Sequence, residues 1–192
     1  MKKLLYTLLA VSIIFSACEE EDVAPANTNN NNTGNNTYSG PKTYVPDDGF
    51  EQYLIDAGYD DVIDDSVLTA NINTIGSFSI TPNTVSDLTG IEDFTALYNL
   101  YCPDNQVTYL DLSNNTALHT INIRDNNLYY LDLRNGRSQS GGVPMMNVIA
   151  AFNQNLTCVS VDDVAWANQW FLEANQGVYY FYPEPIFSTN CN

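Results

Sequence analysis

The residues able to do chemistry in this chain are few, and their spacing argues against catalysis. One histidine, His119, four cysteines (Cys18, Cys102, Cys158 and Cys191) and a run of carboxylates between Asp47 and Asp65 are the obvious candidates. A general base needs a nucleophile beside it and a third group to orient it. His119 has no second histidine and no recognisable nucleophile motif to serve, and it follows a leucine of regular apolar spacing, so it reads as a solvent-facing rim residue. Two-carboxylate glycoside chemistry requires acids flanking a cleft, and abundant acids on an acidic surface do not establish one. No glycine-rich phosphate loop or dinucleotide fingerprint occurs. No catalytic residue and no cofactor are therefore expected.

Metal chemistry fares little better. No Cys-x-x-Cys occurs, and His119 is remote in sequence from Cys158 and Cys191, so a zinc site is not expected. Asp47, Asp48, Asp56, Asp60, Asp61, Asp64 and Asp65 raise calcium. They lack the alternation of acids, the sixth-position glycine and the closing glutamate of an EF-hand loop, so they read as a solvated helix-cap and turn surface.

Charge narrows the partners. Six lysines and arginines face 23 acids, for a net charge of −17 over 192 residues. Nucleic acid and anionic lipid recruit proteins through basic patches, and this chain has none to offer. Lys2 and Lys3 precede an apolar run from Leu4 to Phe15, too short to span a bilayer comfortably, which reads as an export signal over residues 1–17. Phe15-Ser16-Ala17-Cys18 resembles the cleavage site of bacterial lipoproteins, which implies a lipid on Cys18 as the membrane anchor. Residues 18–42, acidic at first and then rich in Asn, Thr and Gly, are too polar to offset the entropy of ordering and are expected to form a tether. Acids directly after the lipidated cysteine resemble surface-export signals of Gram-negative lipoproteins, implying an outer-membrane anchor facing the cell exterior.

The elements that must position any site follow from an internal repeat. Leu97, Leu100, Cys102, Asn105, Val107, Leu110 and Leu112 recur 21 residues later as Leu118, Ile121, Ile123, Asn126, Leu128, Leu131 and Leu133. Weaker copies flank them: Ile75, Phe78, Ile80, Asn83 and Val85 before, and Met146, Ile149, Ala151, Gln154 and Leu156 after, the latter displaced by a loop from Gly136 to Gly142. The spacing L-x-x-L-x-L-x-x-N-x-L resembles the leucine-rich-repeat signature. It implies an α/β repeat solenoid over residues 75–157 with a parallel sheet along one side, because a single coil cannot bury its own apolar stripe.

The ends must be capped. Asp47 or Asp48 can cap a helix whose apolar side is Phe50, Tyr53, Leu54 and Ala57 and which stops at Gly58, giving an N-terminal cap over residues 43–74. That segment is similar to the leading segment of internalin-like bacterial surface proteins. Residues 158–192 resemble the matching C-terminal cap. With Cys18 acylated, at most one pair of cysteines can form in an oxidising compartment. Cys158–Cys191 is the pair expected, because Cys102 falls at a core position of the repeat.

The repeat register predicts a binding face. Its third, fifth and seventh positions point outward: Ser77, Ser79 and Thr81; Asn99, Tyr101 and Pro103; Thr120, Asn122 and Arg124; Val148, Ala150 and Phe152. Asn99, Tyr101, Thr120, Asn122, Arg124 and Phe152 are the expected ligand contacts, since flat aromatics and arginine are common at interaction hot spots. A monomer binding a protein ligand through this face is the leading expectation. A surface polysaccharide stacked on C-terminal aromatics (Trp166, Trp170, Phe171, Tyr179, Tyr180, Phe181, Tyr182 and Phe187) is the second.

Overall fold

The computed structural model describes residues 40–137, 147–173 and 181–191, all within one compact unit, Tyr38–Asn192. The export signal, Cys18 and nearly all of the tether lie outside the described residues, as do Ser138–Gly142 of the inserted loop, Met146, Tyr179 and Tyr180. Among the described residues no helix is long and apolar enough to cross a membrane.

The chain begins with β1 (Lys42–Tyr44), helix α1 (Asp48–Asp56), β2 (Ser66–Leu68), which pairs antiparallel with β1, and one helical turn, α2 (Thr69–Ile72). Asp47 caps α1, its Oδ1 accepting from the Phe50 amide at 2.9 Å, and Gly58 leaves the helix at φ 81°. Phe50 and Leu54 are fully buried, whereas Ala57 is exposed, so the apolar side of the helix is narrower than the sequence suggests. Ala57 sits at the C-cap, past the last turn that touches the core. Phe50, Phe78 and Phe94 meet at ring separations of 5.2 to 6.2 Å and join the cap to the first coils. Gly49 allows that approach, because a Cβ there would lie 1.8 Å from the Thr84 carbonyl oxygen.

The coils follow. β3 (Ser77–Ser79), β4 (Asn99–Tyr101), β6 (Thr120–Asn122) and β8 (Asn147–Ile149) form a first parallel sheet in that spatial order. Its inward row is Phe78, Leu100, Ile121 and Val148, all buried. The last strand corrects the sequence reading by one residue. Ile121 pairs with Val148, not Ile149, so Val148 and Ala150 point into the core and Asn147 and Ile149 point out.

The expected parallel sheet is present, and a second accompanies it. β5 (Tyr109–Asp111), β7 (Tyr130–Asp132), β9 (Cys158–Ser160) and β10 (Ile186–Ser188) form a second parallel sheet in the spatial order β10-β9-β7-β5. Each coil of the central pair thus carries a short strand on each of two sheets. The alternation that makes them is visible in the exact recurrence of Tyr-Leu-Asp-Leu at 109–112 and 130–133, with the leucines buried and the tyrosines outward.

Two asparagine ladders close the turns. Asn105, Asn126 and Asn153 each lend Oδ1 to backbone amides of the preceding coil: Val85, Val107 and Leu128 at 3.0 Å in each case. The Nδ2 of Asn126 donates to the Cys102 carbonyl at 2.8 Å, and that of Asn153 to the Ile123 carbonyl at 3.0 Å. Asn153 therefore holds the place the sequence assigned to Gln154, which is exposed. Asn83 is not the first rung: it sits at φ 60° in the turn, at the position Asp104 and Asp125 occupy in later coils. At the other end of the second-sheet strands, Asn115 donates to the Ile91 and Phe94 carbonyls and Asn135 to the Asn115 carbonyl.

The C-terminal end is closed by α3 (Val164–Ala167), capped by Asp163, a π-helical turn over Asn168–Glu173, and β10. Phe171, Phe181 and Phe187 pack together with ring separations of 5.4 to 5.6 Å. Cys158 and Cys191 are disulfide-bonded with Cα atoms 5.8 Å apart, while Cys102 is free and buried. Burial, with the nearby Asp47 charge, pushes the Cys102 thiol up to about 12, so it is inert at neutral pH.

Candidate functional site

The first sheet presents Ser77, Ser79, Asn99, Tyr101, Thr120, Asn122, Asn147 and Ile149 on its outward side. Parallel pairing sets Asn99 beside Thr120 and Tyr101 beside Asn122. None of these side chains is charged, although the chain carries 23 acids. Apart from Ile149, the row offers hydroxyls, amides and one phenol, all of which donate and accept hydrogen bonds and cost less to desolvate than charged groups.

Four of the six expected contacts, Asn99, Tyr101, Thr120 and Asn122, share this row and are half-buried among their neighbours. Arg124 lies two residues beyond β6 and is exposed, with its Nε on Asp125 Oδ2 at 2.8 Å. Its charge is thus shared with a neighbour in solvent, an arrangement worth little to stability. Phe152 is 48 % exposed and stands not in the row but in the turn after β8, at φ 63°. Its amide donates to the Tyr182 carbonyl at 2.6 Å, and the two rings meet edge-on at 5.7 Å. Asn83, Asp104 and Asp125 fill the equivalent turn position in other coils. Asn and Asp tolerate a left-handed backbone; phenylalanine adopts it at a cost.

His119 lies at the rim of this sheet, half-buried, with Nδ1 3.4 Å from Thr120 Oγ1. Its backbone is committed to the sheet, the amide donating to the Tyr98 carbonyl and the carbonyl accepting from Asn147.

The acidic cap brings Asp48, Glu51 and Asp65 together with one carboxylate oxygen of each within 4.8 Å of the others. Glu51, absent from the sequence-derived cluster, belongs to this group and is fully buried. Its two oxygens accept from the amides of Asp64, Asp65 and Ser66 at 3.0 to 3.1 Å, which accounts for its burial as the fastener of the turn into β2. Asp60 is raised above the usual carboxylate range by burial, then by the neighbouring charges of Glu51, Asp61 and Asp64.

Sequence reasoning missed the second sheet. Its outward residues include Tyr109 and Tyr130, stacked at 4.3 Å with their planes 2° apart. Tyr130 donates to Asp132 Oδ2 at 3.1 Å, and burial together with the Asp132 charge pushes its phenol up to about 12. Asp132 is itself buried and held by the Arg134 guanidinium, which also reaches the Thr189 carbonyl at 3.0 Å. Beside Tyr109 opens a cleft of about 250 Å³ lined by Asp87, Leu88, Thr89, Ile91, Glu92, Leu110, Asp111 and Asn114. The aromatic C-terminal segment is divided: Phe171, Phe181 and Phe187 are core, Trp166 and Trp170 are stacked and half-buried at 5.7 Å, and Tyr182 is exposed.

No family model matches the chain. Internalin J of Listeria monocytogenes serotype 4b (strain F2365) is 33% identical to it over 72 residues, which are 38% of this chain and 8% of that protein. The chain thus spans less than a tenth of the length of the curated relative it matches. Among solved structures it is similar to internalin C2 of Listeria monocytogenes, with TM-score 0.42 and 17% identity over 69% of this chain and 67% of that one. The functional domain of internalin J, which includes a cysteine ladder, gives TM-score 0.37 and 19% identity, covering 64% of this chain and 38% of the other. Internalin F gives TM-score 0.38 and 17% identity, covering 67% and 48%. The chain is thus similar to internalin J over 72 residues, and its stacked coils keep the leucine-rich-repeat spacing.

Proposed function

We propose that this internalin-like solenoid is a non-catalytic surface lipoprotein, anchored through Cys18, that binds a protein partner on the outward face of its first sheet. The observation that carries the reading is the uncharged row from Ser77 to Ile149 on a chain of net charge −17. A neutral, hydrogen-bonding face avoids burying unpaired charge when a partner covers it. Phe152 and Tyr182 at the C-terminal end supply the flat apolar contact that such faces use as anchors. Asn99, Tyr101, Thr120, Asn122 and Arg124 complete the contact set. Lipid anchoring in this reading rests on the basic start, the short apolar run and the Phe15–Cys18 motif, and placement at the outer membrane on the acids Glu19–Asp22 that follow.

The test is affinity capture from surface extracts with the purified full chain, beside Tyr101→Ala, Arg124→Ala and, as control, Tyr129→Ala on another surface. A defined protein retained by the parent and the control but lost by both sheet variants supports the reading. Equal retention by all overturns it. A second reading, carbohydrate binding, is favoured by the stacked Trp166–Trp170 pair. Capture of a glycan that Trp166→Ala loses and Tyr101→Ala keeps would move the function there.

A further inference from the structure

The outward side of the second sheet holds two rings that the core does not use. Tyr109 and Tyr130 stand opposite each other in the parallel register of β5 and β7, which sets their backbones one strand spacing apart, about 4.8 Å. Their rings lie 4.3 Å apart with planes 2° from parallel. The two phenols are side by side: after burial and the Asp132 charge, contact with the Tyr109 side chain also raises the Tyr130 phenol. Tyr109 is 47 % exposed and Tyr130 half-buried, so small reagents reach the pair. Among the described residues no other two tyrosine rings lie parallel. Tyr129 meets Tyr109 at 6.4 Å with planes 58° apart, and no second tyrosine ring packs on the exposed Tyr44 or Tyr98.

Such a pair can lose electrons together. Removing one electron from a phenol at neutral pH also removes its proton, and the phenoxyl radical left behind carries spin on the ring carbons beside the oxygen. A base must take that proton. Tyr130 donates to Asp132 Oδ2 at 3.1 Å, and the Arg134 guanidinium, with Nε 3.0 Å from both oxygens, holds Asp132 as the carboxylate. Tyr109 gives its proton to water. Two phenoxyl radicals held face to face couple carbon to carbon, each ortho to its oxygen, and the ring hydrogens at the new bond shift to the oxygens to restore both phenols. Two electrons and two protons leave in all, and hydrogen peroxide takes them up to become two molecules of water.

We propose that Tyr109 and Tyr130 form an oxidative cross-linking site, joined as dityrosine by hydrogen peroxide and a haem peroxidase, and that the bond fastens the two central coils. The link closes one full repeat of the chain and so restricts the unfolded state. Since Asp132 pairs with Ser160, Cys158 is the next member of the Tyr109–Tyr130 row. The new bond and the Cys158–Cys191 disulfide then fasten neighbouring parts of one sheet. This site lies on a different sheet from the face proposed above, and the two stand or fall separately.

The test treats the dilute full chain with a haem peroxidase and hydrogen peroxide, and separates monomer from dimer before measurement. The expected product is a monomer with dityrosine fluorescence, lighter by two hydrogen atoms, in which tandem mass spectrometry of the digest finds Tyr109 joined to Tyr130. Its urea midpoint should lie above that of untreated protein. Tyr109→Phe and Tyr130→Phe keep the stacked rings but remove one phenol, and each should lower monomer fluorescence about tenfold or more, because only the held pair couples without a diffusive encounter. Tyr129→Phe should leave it unchanged. Dityrosine confined to dimers, a dominant link between other tyrosines, undiminished fluorescence in Tyr109→Phe or Tyr130→Phe, or a linked monomer with an unraised urea midpoint would each overturn the proposal.

Discussion

Single polar side chains hold this molecule in register. Asp47 does two jobs: Oδ1 caps α1, and Oδ2 takes the amides of Ser86 and Asp87 and the Ser86 hydroxyl, tying cap to coil. Asp47→Ala should cost about 1–2 kcal/mol in urea unfolding, whereas Asp47→Asn, which keeps the cap oxygen, should cost less. Burial raises the Asp47 pKa, but the bonds from Ser86, Phe50 and Asp87 outweigh it and hold the carboxyl below its ordinary range. Asp132 is shifted in the same direction, burial being outweighed by Arg134. For a carboxyl lowered by folding, the stabilisation is fully present above its unfolded pKa and is lost as pH falls through the folded one. Urea midpoints should therefore hold above about pH 4 and drop below it, less steeply in Asp47→Asn. Asn126 is a stricter case, since Asn126→Leu strands the Val107 amide and the Cys102 and Ile123 carbonyls in the core. A loss of about 2–4 kcal/mol is expected from the same measurement.

At the scale of elements, the turn after β8 separates folding from function. Phe152→Asn puts at φ 63° a residue type that Asn83 already supplies at its equivalent. Thermal stability should rise by up to about 1 kcal/mol while capture of the partner falls. A fall in stability would mean that the Phe152–Tyr182 contact serves packing. This element also shows why the sequence was legible in part. The central coils keep seven positions over a strict period of 21, so their strands and ladder asparagines could be placed without a structure. In the last coil Val148, Ile149, Ala150 and Ala151 are all apolar, so alternation there has no phase, and only the hydrogen bonds of Asn153 settle it. The second sheet was hidden because three-residue strands leave one inward side chain each; the Tyr-Leu-Asp-Leu pair was its signal. The cleft lining could not be assembled from sequence, since Asp87 and Asp111 flank one cleft only because the chain completes a coil between them.

The whole molecule is a stack in which each coil touches its neighbours. Stability in such stacks is close to a sum of coil and interface contributions, and the ends fray first. The Cys158–Cys191 bond closes a separation of 33 residues at one end. Its reduction should destabilise the chain by about 2–4 kcal/mol, with amide exchange quickening over β9 and β10 well before β4 and β6. Uniform quickening along the stack would show instead that the coils unfold as one.

The match between successive coils bears on how such a chain grows. The bond from the Cys102 amide to the Asn122 carbonyl is repeated from Ile123 to Ile149, and the pairing of β4 with β6 has the same phase as that of β6 with β8. A 21-residue segment copied in frame within the central pair would meet the same neighbours above and below. Gene duplication could lengthen the protein coil by coil while leaving both ends untouched, and the inherited unit would be the interval between ladder asparagines.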